Sequence, residues 1–141
     1  QELVTRLAAL SPESPARWGR FTALQMASHV NGAVRMAIGE LDAPAKATGI
    51  LRTALVRWLV IHVMPFPKGA PTAPALLERG NTTQLAIDSE RATFTALLDK
   101  LAARKGAASW PDHPAFGPMT EHDWGVLAYR HVDHHFRQFG I

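Results

Sequence analysis

The sequence predicts an all-α fold, a four-helix bundle with a short extra helix at its N-terminus. Apolar residues recur at helical spacing through four long segments, and no segment shows the alternation typical of a strand. Residues 22–25 and 120–123 are spaced as capping boxes, and Gly follows three of the four segments. With 141 residues, of which 47% are hydrophobic, the chain 1–141 is predicted to form a single domain.

The predicted elements follow from this periodicity and from the positions of Pro and Gly. A short first helix covers Leu3 to Leu10 and ends before two Ser-Pro pairs. The long helices are predicted at residues 22–38, 50–64, 86–104 and 120–139. The most apolar stretch, at 50–66, is interrupted by charged side chains and is shorter than the ~20 residues of a membrane span. It therefore predicts a buried or interface helix.

Two long loops rich in Pro and Gly separate these helices, at Pro65 to Gly80 and at Trp110 to Met119. Loops of this length often border binding sites. We therefore expect both loops to lie at the edge of a pocket beside one end of the bundle.

Composition narrows the class of protein. Lys and Arg exceed Asp and Glu by 15 to 12, but the basic residues are scattered, which argues against nucleic acid as a partner. Cysteine is absent, so the chain has no disulfide, no thiolate zinc site and no cysteine nucleophile of its own. No secretory signal and no membrane span is visible, which favours the cytoplasm. The start at Gln1, without an initiator Met, leaves open whether an N-terminal segment was removed.

Histidine is the residue type that points to chemistry. His131 and His135 are spaced i, i+4 and therefore lie one turn apart on the same face of the last helix, close enough to share a metal ion. That face also carries Trp124 and Leu127, so we expect it to be buried. His29 lies in the middle of the second helix on a similarly apolar face and can supply a third ligand. The sequence thus predicts a divalent metal ion held by His29, His131 and His135.

The alternatives are plain. An i, i+4 histidine pair also arises by chance, and a lone histidine on an apolar face is often a hydrogen-bonded core residue. His134 can replace either neighbour as a ligand or can lie at the rim of the site. The other three histidines, His62, His113 and His122, are interpreted as loop, cap or surface residues.

Several strings of this sequence are similar to motifs of the DinB-like superfamily. The closing string His131-Val-Asp-His134-His135-Phe-Arg-Gln138 resembles that family's helical His-x-x-x-His followed by Gln, and the string from Trp18 to His29 resembles its ligand segment on the second helix. His113-Pro-Ala-Phe-Gly-Pro-Met-Thr, with the later Asp123-Trp124, is similar to a branch of uncharacterised function.

The resemblance covers about residues 17–141 and implies an up-down-down-up bundle that binds nickel or zinc and often forms a dimer. Some members of the superfamily are thiol-dependent transferases or isomerases. The resemblance therefore implies a low-molecular-weight thiol or another small molecule as a partner, and it leaves open a homodimer.

Two functions from different classes remain. In the first, the ion has open positions and the protein is a metal-dependent transferase, isomerase or hydrolase. In the second, the ion only stabilises a non-catalytic binding or stress-response module. The sequence argues against a zinc protease, because Val132 stands where His-Glu-x-x-His requires its Glu and Asp133 points to about the opposite side of the helix. The dipeptide His122-Asp123 does not suffice for a phosphohydrolase.

Four further side chains are predicted to shape the site without necessarily binding the ion. Gln138 and Trp124 share the stripe of the histidine pair, one turn beyond it and two turns before it, and Gln138 can hydrogen-bond a ligand. His134 and Gln25 complete this set of surrounding residues.

Overall fold

The computed structural model describes residues 1–42, 49–69 and 82–141, and every regular element in these ranges is helical. The helices are α1 (Glu2–Leu7), α2 (Ala23–Ile38), α3 (Ala54–Trp58), α4 (Gln84–Ala103) and α5 (Glu121–Phe139). A 3-10 turn at Gly49–Arg52 precedes α3, and a π-helical turn at Leu59–Val63 follows it. The all-α prediction is confirmed for the described residues, where the extended pairing is a single bridge between His113 and Gly117.

The ends of α2 and α5 are fixed by the capping residues that the sequence predicted. The Thr22 hydroxyl accepts the backbone N–H of Gln25, whose side chain in turn accepts the N–H of Thr22. Thr120 and Asp123 form the same reciprocal pair at the start of α5. Gly140 ends α5 with a positive φ of 76°, which glycine adopts without a steric penalty. These caps set the register in which the histidines leave their helices.

The segment 49–63 is less regular and more exposed than a buried helix. Its last turn is π-helical, with the N–H of Met64 bonded to the carbonyl of Leu59 at 2.8 Å. Only Ile61 is buried, whereas Leu55 and Trp58 are more than half exposed. Burial within this chain therefore does not account for the apolar character of the segment, and an interface role stays a prediction.

Helix α2 is the centre of the fold because it packs against both α4 and α5, while α1 lies across α4 and α5. The main core between these four helices includes Val30, Phe94 and Phe136, all fully buried. A second core cluster joins the π-helical turn and the 110–119 loop to the first half of α5 through Ile61, Phe116 and Trp124. In the described residues no helix is both long and apolar enough to cross a membrane.

Candidate metal centre

The three predicted ligands meet where α2 packs against α5. His29 leaves the middle of α2 and is only 5% exposed, while His131 and His135 leave the second half of α5 and are partly buried. The ring centroids lie 5.0 Å apart for His29 and His131, 4.6 Å for His29 and His135, and 4.9 Å for the pair on α5. One nitrogen from each ring can be chosen so that all three atoms lie within 4.8 Å of one another.

The spacing of the His29 and His131 nitrogens is close to that of two ligands of one metal ion. The Nε2 atoms of His29 and His131 are 2.8 Å apart, so the two rings share one hydrogen bond. Two nitrogens bound at 2.0–2.1 Å to a tetrahedral ion are separated by about 3.3–3.4 Å. To hold such an ion, the His29 and His131 rings would have to move apart by about half an ångström, and the ion would lie where their hydrogen bond now is.

The side chain of Gln138 fixes the tautomer of His135. Its Nε2 donates to the backbone carbonyl of Trp18 at 2.7 Å, and only the nitrogen end of the amide can do so. The amide oxygen must then be the atom 2.8 Å from Nδ1 of His135, and it accepts a hydrogen bond from the N–H of that nitrogen. The lone pair of His135 is consequently on Nε2, where it is free to bind an ion. The predicted role of Gln138 beside a ligand thus has a definite geometry.

Burial keeps the three imidazoles neutral. It lowers the pKa of His29 to about 4, and the repulsion that a protonated His29 would meet from a protonated His135 lowers it further. It also lowers the pKa of His135 to about 4, although the bond to Gln138 opposes this, and it lowers the pKa of His131 well below its usual value. A metal ligand must be unprotonated, so all three rings are in the binding form near pH 7.

An aromatic rim surrounds the histidine cluster and consists of Trp18, Phe21, Phe66 and His134, all partly buried. Phe21 contacts two histidines of the cluster, with its ring centroid 5.3 Å from that of His29 and 5.7 Å from that of His135. Phe66 lies 6.0 Å from His131 and 5.8 Å from His134. The rim limits access of solvent to the cluster.

The described part of the 65–80 loop, residues 65–69, lies beside the cluster as predicted, since it carries Phe66. Arg130, the neighbour of His131, ties this region to α5 by donating to the carbonyls of Ile61 and Met64 and by lying 5.3 Å from the Phe66 ring centroid. The rest of that predicted loop, 70–80, falls outside the described residues.

The 110–119 loop packs against the first half of α5. The Trp124 indole is buried there, donates its N–H to the carbonyl of Pro111 at 2.8 Å and contacts the His113 ring at 5.3 Å. Of the other predicted surrounding residues, His134 belongs to the rim and is outside the three-histidine group. Gln25 closes the capping box of α2.

The sequence did not reveal that the His113 side chain holds the backbone of the 110–119 loop. Its Nδ1 accepts the backbone N–H groups of Ala115 and Phe116, at 3.1 and 3.3 Å, and its ring stacks on Phe116. Burial lowers its pKa to about 4. The spacing of His113 from the two N–H groups resembles that of an Asx turn, which is the signal that could have identified it as the residue that shapes this loop.

His62 also has a partner that the sequence did not reveal. Its Nε2 lies 3.0 Å from a carboxylate oxygen of Asp123, which joins the π-helical turn to the start of α5. Partial burial raises the pKa of Asp123, but hydrogen bonds from His62 and Thr120 outweigh it and leave that pKa lowered.

Comparison with known proteins identifies the family. A family model described as protein of unknown function, DUF1569, matches residues 1–140. The chain belongs to the DUF1569 family. No curated protein and no solved structure matches it. What this DUF1569 protein does therefore has to be argued from the histidine cluster.

Proposed function

We propose that this DUF1569 protein binds one divalent metal ion through His29, His131 and His135 and uses it as a metalloenzyme. The observation that carries the proposal is that three imidazole nitrogens from two helices lie within 4.8 Å of one another. These three rings are partly or fully buried, and buried polar rings need partners, which a shared metal ion would supply.

An open coordination site favours chemistry over a purely structural ion. In residues 1–42, 49–69 and 82–141, no fourth His, Cys, Asp or Glu atom joins the group. Three neutral ligands leave the ion its full positive charge and at least one position for an exogenous ligand. An ion held this way lowers the pKa of a bound water or thiol and supplies a nucleophile near neutral pH.

We assign the protein to the class of thiol-dependent transferases or isomerases, with nickel or zinc as the metal. The absence of cysteine is compatible with an external thiol. The order of the ligands, one on α2 and a His-x-x-x-His pair followed by Gln138 on α5, supports membership of the DinB-like superfamily and its up-down-down-up bundle. A non-catalytic module stabilised by the ion is the alternative, and it requires the open positions to be filled by protein ligands.

The test is the metal content of protein purified without an affinity tag or chelator, measured by mass spectrometry. We expect about one equivalent in the wild type and a loss of bound metal in His29→Ala, His131→Ala and His135→Ala. His122→Ala is the matched control because His122 is exposed and lies outside the group. His134→Ala decides whether the rim histidine is a ligand.

Far-UV circular dichroism of each variant separates loss of a ligand from loss of the fold. A full equivalent of metal in all three folded variants would show that the triad is wrong. Screening of the metal-loaded protein for thiol transfer then distinguishes the metalloenzyme from the structural module.

A further inference from the structure

We propose that the mouth of the metal centre binds a small organic carboxylate, with Lys68 as the residue that recognises the carboxylate group. This inference rests on the proposed metal site and names the class of molecule that it takes. The ligand spans the aromatic rim, with one end at the histidine cluster and the other at the Lys68 ammonium.

Lys68 is placed at the rim by its loop. Its ammonium nitrogen lies 4.6 Å from the centroid of the Trp18 ring, and Trp18 in turn contacts the His134 ring at 5.8 Å. Two residues earlier, Phe66 contacts both His131 and His134. The bond from Arg130 to the carbonyl of Met64, at 2.7 Å, fixes the start of this loop to α5.

The charges at the mouth favour an anion. Among the described residues no carboxylate lies within 4.0 Å of the Lys68 ammonium, and Asp133, next to His134 in the chain, is paired with Arg6 and Arg137 at 2.9 Å each. The three ligand imidazoles contribute no negative charge, so a bound divalent ion keeps its charge of +2. Lys68 and the ion then attract an anion together.

The same geometry favours a carboxylate over a phosphate. Dianionic phosphates are usually held by several donors or by an Arg fork. Here the nearby guanidinium of Arg130 is bonded to two backbone carbonyls and is not available. A single ammonium suits a monoanion, and His134, which has no hydrogen-bond partner in the described part of the chain, offers one further ring N–H. The aromatic rings around them suit a short hydrocarbon chain.

The experiment uses cobalt(II)-loaded protein and two thiols of similar length, 3-mercaptopropionate and 3-mercapto-1-propanol. Binding is followed by the sulfur-to-cobalt absorption band. We expect the wild type to bind the carboxylate more tightly than the alcohol. Because Lys68 is exposed, we expect Lys68→Gln to reduce that preference about 2- to 5-fold, the size typical of an exposed ion pair. Lys68→Arg retains most of the preference, and added salt weakens it in the wild type.

Lys105→Gln is the control for the change of net charge, because Lys105 is exposed and follows α4. An equal preference in wild type and Lys68→Gln, with the cobalt band present in both, overturns the role of Lys68 and leaves the metal site intact. Absence of that band with either thiol, in wild-type protein that holds one equivalent of cobalt, overturns thiol binding at the metal and the carboxylate site with it. Wild-type protein that retains no cobalt contradicts the metal-centre proposal itself.

Discussion

Replacing Gln138 by Leu tests whether the metal centre depends on the orientation of His135. Leu has a similar size but offers no hydrogen bond, so the change leaves two groups without partners, Nδ1 of His135 and the carbonyl of Trp18. A buried polar group that loses its partner costs about 1–3 kcal/mol. Because Trp18 is partly exposed and water can reach its carbonyl, we expect the metal-free variant to lose about 2–4 kcal/mol of unfolding free energy.

Gln138→Leu is also expected to lower the affinity for metal, independently of its effect on stability. Without the amide oxygen, His135 is free to place its proton on Nε2, the atom needed for the ion. Removal of such a supporting bond usually weakens metal binding by about 10–100-fold.

Gln138→Glu separates the hydrogen bond that Gln138 accepts from His135 from the one that it donates to the Trp18 carbonyl. A carboxylate retains the acceptor for Nδ1 of His135 but sets a second oxygen against the Trp18 carbonyl, where the amide nitrogen now lies at 2.7 Å. We expect this variant to bind metal within a few-fold of the wild type while its unfolding free energy falls.

The assays are competition against a chromophoric chelator for metal affinity and urea unfolding of the metal-free protein for stability. If Gln138→Leu matches the wild type in both, Gln138 only fills space and the orientation argument fails. If Gln138→Glu loses as much metal affinity as Gln138→Leu, the hydrogen bond to His135 is not the cause.

Three further predictions concern His113, His29 and Gly19. His113→Leu leaves two backbone N–H groups of its loop without an acceptor and should lower the free energy of urea unfolding by about 1–3 kcal/mol. His113→Asn, whose side-chain oxygen can accept both N–H groups, should lower it less. Equal losses in the two variants would contradict the role of His113 as acceptor. The pKa of His29 is about 4 in the folded state and 6.5 in the unfolded state, so the unfolded state binds more protons between these two pH values. The free energy of unfolding of the metal-free protein therefore falls as the pH is lowered from 6.5 to 4, by about 3 kcal/mol for this residue. Unfolding curves that do not change between pH 6.5 and 4 would refute the neutral, buried state. Gly19→Ala should destabilise the fold and weaken metal binding, because Gly19 has a φ of +78° and a Cβ there would lie 2.5 Å from Nε2 of Gln138. Urea unfolding and chelator competition measure the two losses. Wild-type values in both assays would contradict the close approach of Gly19 to Gln138.

The sequence correctly predicted where α2 and α5 begin and which residues share a face of α5. Capping boxes at Thr22 and Thr120 begin α2 and α5, and the i, i+4 spacing of His131 and His135 places both on the face that packs against α2. These predictions succeed because caps and periodicity depend on residues a few positions apart.

Contacts between distant positions could not be predicted in this way. The π-helical turn at Leu59–Val63 makes a tertiary contact, from the carbonyl of Ile61 to Arg130, that no local pattern encodes. The placement of Lys68 over Trp18 joins residues fifty positions apart, and the bond from Gln138 to the Trp18 carbonyl joins residues 120 positions apart. The lowered pKa of His113 likewise follows from burial that only the folded loop provides.

The separation of the ligands along the chain determines when the centre can form. His29 and His131 are 102 positions apart, so they meet only after the chain that contains α3 and α4 has closed into a loop. The entropy of closing such a loop must be overcome before its contacts stabilise the fold, and we therefore expect this meeting to be a late step of folding. Before that step, the proposed ion would have only the two histidines of α5 as ligands. We therefore expect its capture by all three histidines to accompany the docking of α2 on α5.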